Sequence, residues 1–216
     1  MSTKEFALRL LNWWASNKKD FPWRKTKDAF SILIAEILLR KTTAKQVARI
    51  YQNFMQKFPD PIALSEASIE ELEELTRPLG IERKRAVLLK TLGTTIVQKY
   101  SGKVPLSKEN LIDLPGVGQY SANAVLCFVL GEDVPLVDTN FIRVFQRVFG
   151  LKSRKPRPKD DPFIWRYATD AIPHGKAPAF NLAVIDFAHA ICTPKNPKHE
   201  TCPLRTMCEY YQAMSK

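Results

Sequence analysis

Apolar residues recur along this chain at helical spacing, and no stretch of useful length alternates as a strand would. Over residues 4–18, Phe6, Leu8, Leu10, Leu11, Trp13 and Trp14 share one broad face before DFPWRKTKD breaks the pattern. Residues 29–40 (AFSILIAEILLR) and 44–57 (AKQVARIYQNFMQK) predict two further helices. Ser68 and Glu71 form a capping box ahead of IEELEEL, and Pro78 and Gly80 stop that helix. A long amphipathic helix follows over 82–99. Its first turn carries Arg83, Lys84 and Arg85, cations that oppose the helix dipole, which suggests either phosphate contact or a plain solvated face. After SGKVP come a helix at 107–113, the turn Leu114-Pro115-Gly116-Val117-Gly118 and a helix at 118–130. Residues 139–149 predict another helix, with Asp138 just before it. The basic, proline-rich loop KSRKPRPKDDP leads to helices at about 162–172 and 177–191. There is no internal repeat, and the expected fold class is all-α.

The bulk numbers narrow the partners. The chain has 216 residues, 45% hydrophobic and 25% charged, enough apolar material for an ordinary packed core. Lys and Arg outnumber Asp and Glu by 33 to 22, giving a net charge of +11 and a pI near 9.6, which points to a polyanion such as nucleic acid. No run of eighteen apolar residues exists, and the charged start MSTKEFALRLLNWW lacks a signal-peptide core. A cytoplasmic, nucleoid-associated protein with unpaired thiols is therefore expected. Cys127, in AVLCFVL, reads as core, whereas Cys192, Cys202 and Cys208 crowd into the last 25 residues.

Between its two helices, the LPGVG turn is the sharpest local signal. Leu111, Leu114 and Val117 can pack beneath it, and Gly116 and Gly118 permit unusual angles and close approach. The N–H groups of the turn and of Gln119 would then point outward at a helix N-terminus, a ready site for a DNA phosphate that reads no base identity. An ordinary tight corner explains the glycines alone. The flanking helices and the basic charge favour phosphate.

LPGVGQYSANAV, followed about twenty residues later by VPLVDTNFIRV, resembles the signature of the helix-hairpin-helix (HhH-GPD) DNA glycosylases, the superfamily of endonuclease III. DFPWRKTKDAFSILIAEILLRKTTAKQV and FNLAVIDFAHAIC extend the resemblance over nearly the whole chain. Within the superfamily, AEILLRKTTA with GVGQY resembles the thymine-DNA mismatch glycosylases of thermophilic archaea. The resemblance implies two helical lobes with a DNA cleft between them: a six-helix lobe over 27–132, its hairpin motif at about 107–130, and a lobe joining 1–26 to 133–216.

It also implies that Asp138 is the catalytic carboxylate. Cleaving an N-glycosidic bond builds positive charge on the sugar, which a fixed carboxylate stabilises while it orients or deprotonates water. An N-cap aspartate explains Asp138 equally, but not the hairpin upstream. Glu36 lies in the apolar run SILIAEILL, where a carboxylate is expensive without a partner, and the resemblance has it contact a flipped base. Tyr120 stands where endonuclease III relatives carry a lysine that forms a Schiff base. A phenol cannot, so a monofunctional enzyme without lyase activity is expected, with Tyr120 walling the pocket. Flipping leaves a hole in the stack. By the same resemblance Arg40 and Lys41 are candidates to reach the orphan guanine, and Ile81, after Gly80, is a candidate apolar wedge; ordinary surface or core is the alternative for each.

Relatives of endonuclease III hold a [4Fe–4S] cluster on C-x6-C-x2-C-x5-C. The matching positions here are Cys192, His199, Cys202 and Cys208, with histidine second. Spacing favours the iron–sulfur cluster, and histidine ligation is chemically possible. A Cys3His set alone would suit tetrahedral zinc. The expected protein is thus a monomeric glycosylase acting on thymine or uracil opposite guanine in duplex DNA. The alternatives are an adenine glycosylase acting opposite 8-oxoguanine, which shares Glu36 and Asp138, and a non-catalytic mismatch-binding protein.

Overall fold

A computed structural model describes residues 2–214, and every regular element among them is helical. The chain divides into two compact units, Asp20–Leu130 and a second built from the residues up to Lys19 with those from Gly131 onward.

In the Asp20–Leu130 unit, α2 (Ala29–Leu38) starts at Asp28, whose carboxylate accepts the Ser31 N–H. Phe30, Ile32, Leu33, Ile34, Ala35, Ile37 and Leu38 are all buried. A helix apolar on nearly every side belongs at a core, and each such large side chain contributes about 1.5–3 kcal/mol by burial. α3 (Ala44–Lys57) opens with a capping box between Thr43 and Gln46. Its Tyr51 hydroxyl donates to the Ser31 carbonyl at 2.9 Å, and burial pushes that phenol up to about 12. α4 (Pro61–Glu66), capped by Asp60, is too short to show a period and is not foreseen by the sequence pattern. α5 (Ile69–Thr76) has the Ser68–Glu71 box that the sequence indicates. α6 (Glu82–Tyr100) packs on α4 and α5. A Cβ at Gly93 would lie 2.9 Å from the Ser65 nitrogen, so glycine there lets α4 approach closely. α7 (Lys108–Ile112) and α8 (Gln119–Val125) flank the hairpin turn; α8 runs on as a π-turn over Leu126–Leu130 and packs against α2.

In the second unit, α1 (Thr3–Ala15) and α9 (Thr139–Phe149) pack against α11 (Ala177–Ala190); α10 (Pro162–Asp170) and α12 (Glu209–Met214) complete the unit. The core is aromatic: Phe6 meets Phe145 edge-on at 5.1 Å, and Phe141 stacks on Phe145 at 4.0 Å. Buried Asp186 accepts the Trp14 indole N–H at 2.8 Å and the Lys19 N–H at 3.2 Å, tying down the end of α1. Asn181 accepts the Leu136 N–H and donates to the Val134 carbonyl, which fixes the extended approach to Asp138.

Candidate active site and iron–sulfur loop

The hairpin turn rests on buried Leu111, Leu114 and Val117, and the Val117 N–H closes back on the Leu114 carbonyl at 3.0 Å. Its glycines differ. Gly116 has φ +75°, and a Cβ there would sit 2.7 Å from Leu88 Cδ1 and 3.0 Å from Arg40 Nη1, so both conformation and space require glycine. Gly118, at φ −102° and ψ −179°, is ordinary extended backbone with nothing near its missing Cβ, which corrects the expectation of unusual angles there. What glycine supplies at 118 is a bare N-cap: no side chain caps α8, and Gly118 and Gln119 are exposed at its start.

Arg40 lies beyond the end of α2, which stops at Leu38 rather than running on to 40. Its Nη1 donates to the Gly116 carbonyl at 3.1 Å, linking this turn to the hairpin. Lys41 follows, exposed, at φ +58°. Ile81 is 50% exposed at φ +48° and ψ +34°, just after Gly80 at φ +72°. Arg83 is a solvated cation pairing with Glu73 at 2.8 Å, and Lys84 is exposed. Arg85 is neither solvated nor turned to phosphate. It is only 2% exposed and donates to the carbonyls of Ile37, Leu38, Arg40 and Gly80 at 2.7, 3.1, 2.8 and 3.4 Å. Burial, and then the charge of Arg40, lower its pKa from the ordinary arginine value.

Glu36 on α2 and Tyr120 in the first turn of α8 are both half-buried, on helices that pack against each other. Asp138 belongs to the other unit. It is the N-cap of α9: Oδ1 accepts the Phe141 N–H at 2.7 Å, and Oδ2 accepts the Asn140 amide at 2.7 Å. Each oxygen keeps a second lone pair, so a cap and a reactive carboxylate are compatible roles. Asn140 Oδ1 accepts from Arg143 Nη2 at 3.0 Å, and Arg143 donates in turn to the carbonyls of Ala188 (3.0 Å) and Cys192 (2.8 Å). The carboxylate is thereby tied, through one amide and one guanidinium, to the first residue of the cysteine loop.

That loop turns tightly: the Lys198 N–H reaches the Ile191 carbonyl, Cys202 N–H the His199 carbonyl, and Cys208 N–H the Arg205 carbonyl. Cys192, His199, Cys202 and Cys208 line one small, partly open cavity, together with Arg147 and Tyr210. No disulfide joins the cysteines. Burial, with help from the neighbouring sulfurs, pushes the Cys202 thiol up to about 11 and also raises Cys208. Packed thiols of this kind become thiolates only against a cationic centre. Among the described residues, no three His, Cys, Asp or Glu side chains are set to hold one metal ion. Three thiols and an imidazole lining one cavity are a donor set that an iron–sulfur group can use. Arg147 closes the wall. It donates to the Thr193 and Pro194 carbonyls at 2.7 and 2.9 Å, approaches Cys192 Sγ at 3.5 Å, and lies 4.9 Å from the Tyr210 ring.

The hairpin motif and the cysteine loop are each those of a base-excision repair protein of the hairpin class. Residues 34–162 match the model of the HhH-GPD superfamily base excision DNA repair proteins, and the chain belongs to that family. Residues 192–208 match the iron-sulfur binding domain of endonuclease III, which gives a zinc site no support. The chain is similar to the thymine-DNA glycosylase of Aeropyrum pernix, 46% identical over 94% of this chain and 92% of that one. It is also similar to the thymine/uracil-DNA glycosylase of Pyrobaculum aerophilum, 43% identical over 96% and 92%. A solved thermostable thymine-DNA glycosylase superposes with a TM-score of 0.93 at 37% identity, covering 98% of this chain and 97% of that one.

Sequence reasoning passed over Asn140, Arg143 and Arg147, and read Arg85 only as a phosphate contact or a solvated cation. The signal for Arg85 was present, a cation at the wrong end of a helix dipole, but periodicity cannot tell a solvated face from a buried clamp.

Proposed function

We propose that this protein is a monofunctional DNA N-glycosylase that releases thymine or uracil mispaired with guanine in duplex DNA, acting as a monomer in base excision repair. The observation that carries the reading is the Asp138 carboxylate, held in one orientation by two hydrogen bonds at the start of α9. As the bond from C1′ to the base breaks, its electron pair leaves with the base and positive charge grows on the sugar, where the carboxylate is worth most. Water adds its oxygen to C1′, Asp138 accepts the proton, and the departing base is protonated from solvent. The products are a free base and an abasic site. Glu36 accepts a hydrogen bond from the base, such as thymine N3–H, and Tyr120 walls the base pocket. The turn at Leu114, Gly116, Val117, Gly118 and Gln119 takes a phosphate on its N–H groups. Lys41 reaches the orphan guanine more readily than Arg40, one of whose nitrogens already serves the Gly116 carbonyl.

Cys192, His199, Cys202 and Cys208 would hold a [4Fe–4S] cluster, which crosslinks the loop rather than taking part in hydrolysis. The loop presents exposed Lys195, Lys198 and Arg205 to phosphate. Iron and sulfide content with a visible absorption band tests the cluster; His199→Cys keeps it and His199→Ala loses it.

The deciding experiment is single-turnover base release from T:G, U:G and A:8-oxoguanine duplexes, developed with alkali. Release from the first two is expected, and Asp138→Asn lowers it roughly a thousandfold with DNA affinity retained. Full activity in that variant, or preference for A:8-oxoguanine, overturns the reading. Borohydride is expected to trap no adduct with the natural protein and to trap one with Tyr120→Lys.

A further inference from the structure

Three turns of the Asp20–Leu130 unit meet on two arginines. Arg85 is buried and forms no ion pair among the described residues, and its Nε has no partner. Desolvating a guanidinium costs several kcal/mol, and a methionine of similar length would fill the same space without that cost. The charge is therefore kept for the bonds it makes. Those to Ile37 and Leu38 bond the last carbonyls of α2 and complement the negative end of its dipole. A cap needs no more. Yet Nη2 also bonds the Arg40 carbonyl, the residue before Lys41, and the Gly80 carbonyl, the residue before Ile81. Arg40 then passes the connection on to Gly116 in the hairpin.

Both turns held this way are strained where they are exposed. Lys41 and Ile81 sit in the left-handed region, which a β-branched residue such as Ile81 adopts only under strain. The packed core does not repay this cost, because half of Ile81 faces solvent. Glycine or asparagine would hold the same turn with less strain, so the side chain itself is what the strain preserves.

We infer that Arg85 is a positioning residue for strand opening: through Gly80 it holds Ile81 in the conformation that enters the base stack, in fixed register with Lys41 and, through Arg40, with the phosphate-binding turn. This inference rests on the glycosylase reading for its substrate, but not on any one mismatch.

The test separates opening from chemistry. Arg85→Met, Arg85→Lys and Ile81→Ala are compared with the unaltered protein on a U:G duplex and on uracil in an unpaired bubble. The readouts are single-turnover release, melting temperature and the fluorescence of 2-aminopurine beside the mismatch. Arg85→Met is expected to slow duplex release about thirtyfold, Arg85→Lys about fivefold because lysine restores part of the bonding, and both to leave bubble release within about twofold. Ile81→Ala should share this pattern, and adding it to Arg85→Met should cost little more. The 2-aminopurine rise should disappear in Arg85→Met. Equal losses on duplex and bubble, or a natural rate on the duplex, overturn the inference. If Arg85→Met fails to fold, Arg85→Lys and Ile81→Ala decide it. If the unaltered protein releases no base from either substrate, the glycosylase reading fails, and the 2-aminopurine signal of each variant still decides the role of Arg85.

Discussion

In the Asp20–Leu130 unit, Arg85 gathers four carbonyls and the surrounding chain needs nothing else; in the other unit, Arg143 and Arg147 gather carbonyls of the cysteine loop around a space that protein does not fill. The same chemistry, a guanidinium holding open backbone ends, gives two kinds of stability. The hairpin region is complete as polypeptide, so its geometry follows from packing, caps and one obligatory glycine. The loop region brings donors together whose burial is unfavourable until a cationic group binds, so its order is linked to that group.

The comparison can be broken most severely by taking iron away. Chelation after oxidation should destabilise the second unit by several kcal/mol. Hydrogen exchange should then rise across residues 191–208 and α9 and stay unchanged across 107–118. Equal loosening of both would show that the hairpin region is not self-sufficient.

Arg147→Ala should come next, at about 2 kcal/mol in urea unfolding of the iron-loaded protein, because it leaves two carbonyls without their donor. The loss should shrink in protein stripped of iron, where the loop is already loose, and that coupling is the informative quantity.

Within the hairpin, Gly116→Ala should cost about 1–3 kcal/mol through its positive φ and the contact with Leu88. Gly118→Ala should change thermal stability by no more than about 0.5 kcal/mol while weakening duplex binding. Equal destabilisation by the two would contradict the different jobs assigned to these glycines.

The smallest effect concerns pH. Glu71, holding the Ser68 N–H and then Lys57, has its carboxyl lowered from 4.5 to about 2. A carboxyl depressed on folding adds stability that is fully present above its unfolded pKa and fades as pH falls through the folded one. Glu71→Gln should therefore be less stable than the natural protein at neutral pH, with the deficit closing between about pH 4.5 and 2, which flattens the acid unfolding profile. A profile unchanged in that window would remove the capping box from the account.

Particular residues show how far the sequence could be read. Periodicity and capping gave most helices, because 3.6-residue spacing and the Ser68–Glu71 box are local signals. α4 and α12 were missed, because six residues are too few to show a period. Arg40 was placed inside a helix that in fact stops at Leu38, since no glycine or proline marks the left-handed turn at Lys41. The site divided similarly. Asp138 was marked by its place before an amphipathic helix and by the resemblance; Asn140 bonds it within the same turn, but nothing local reveals what anchors that pair, since Arg143 is held by the carbonyls of Ala188 and Cys192, 45 and 49 residues away.

By itself the sequence determined an all-helical chain, a basic one, a hairpin glycine run and a spaced set of three cysteines and a histidine. Each depends on near neighbours or on simple totals. Only the tertiary structure decided that Arg85 is buried rather than solvated, that Gly118 is an open cap rather than a strained corner, and that the four donors line one cavity. Burial and hydrogen-bond partnership are properties of distant segments brought together, and no local pattern carries them.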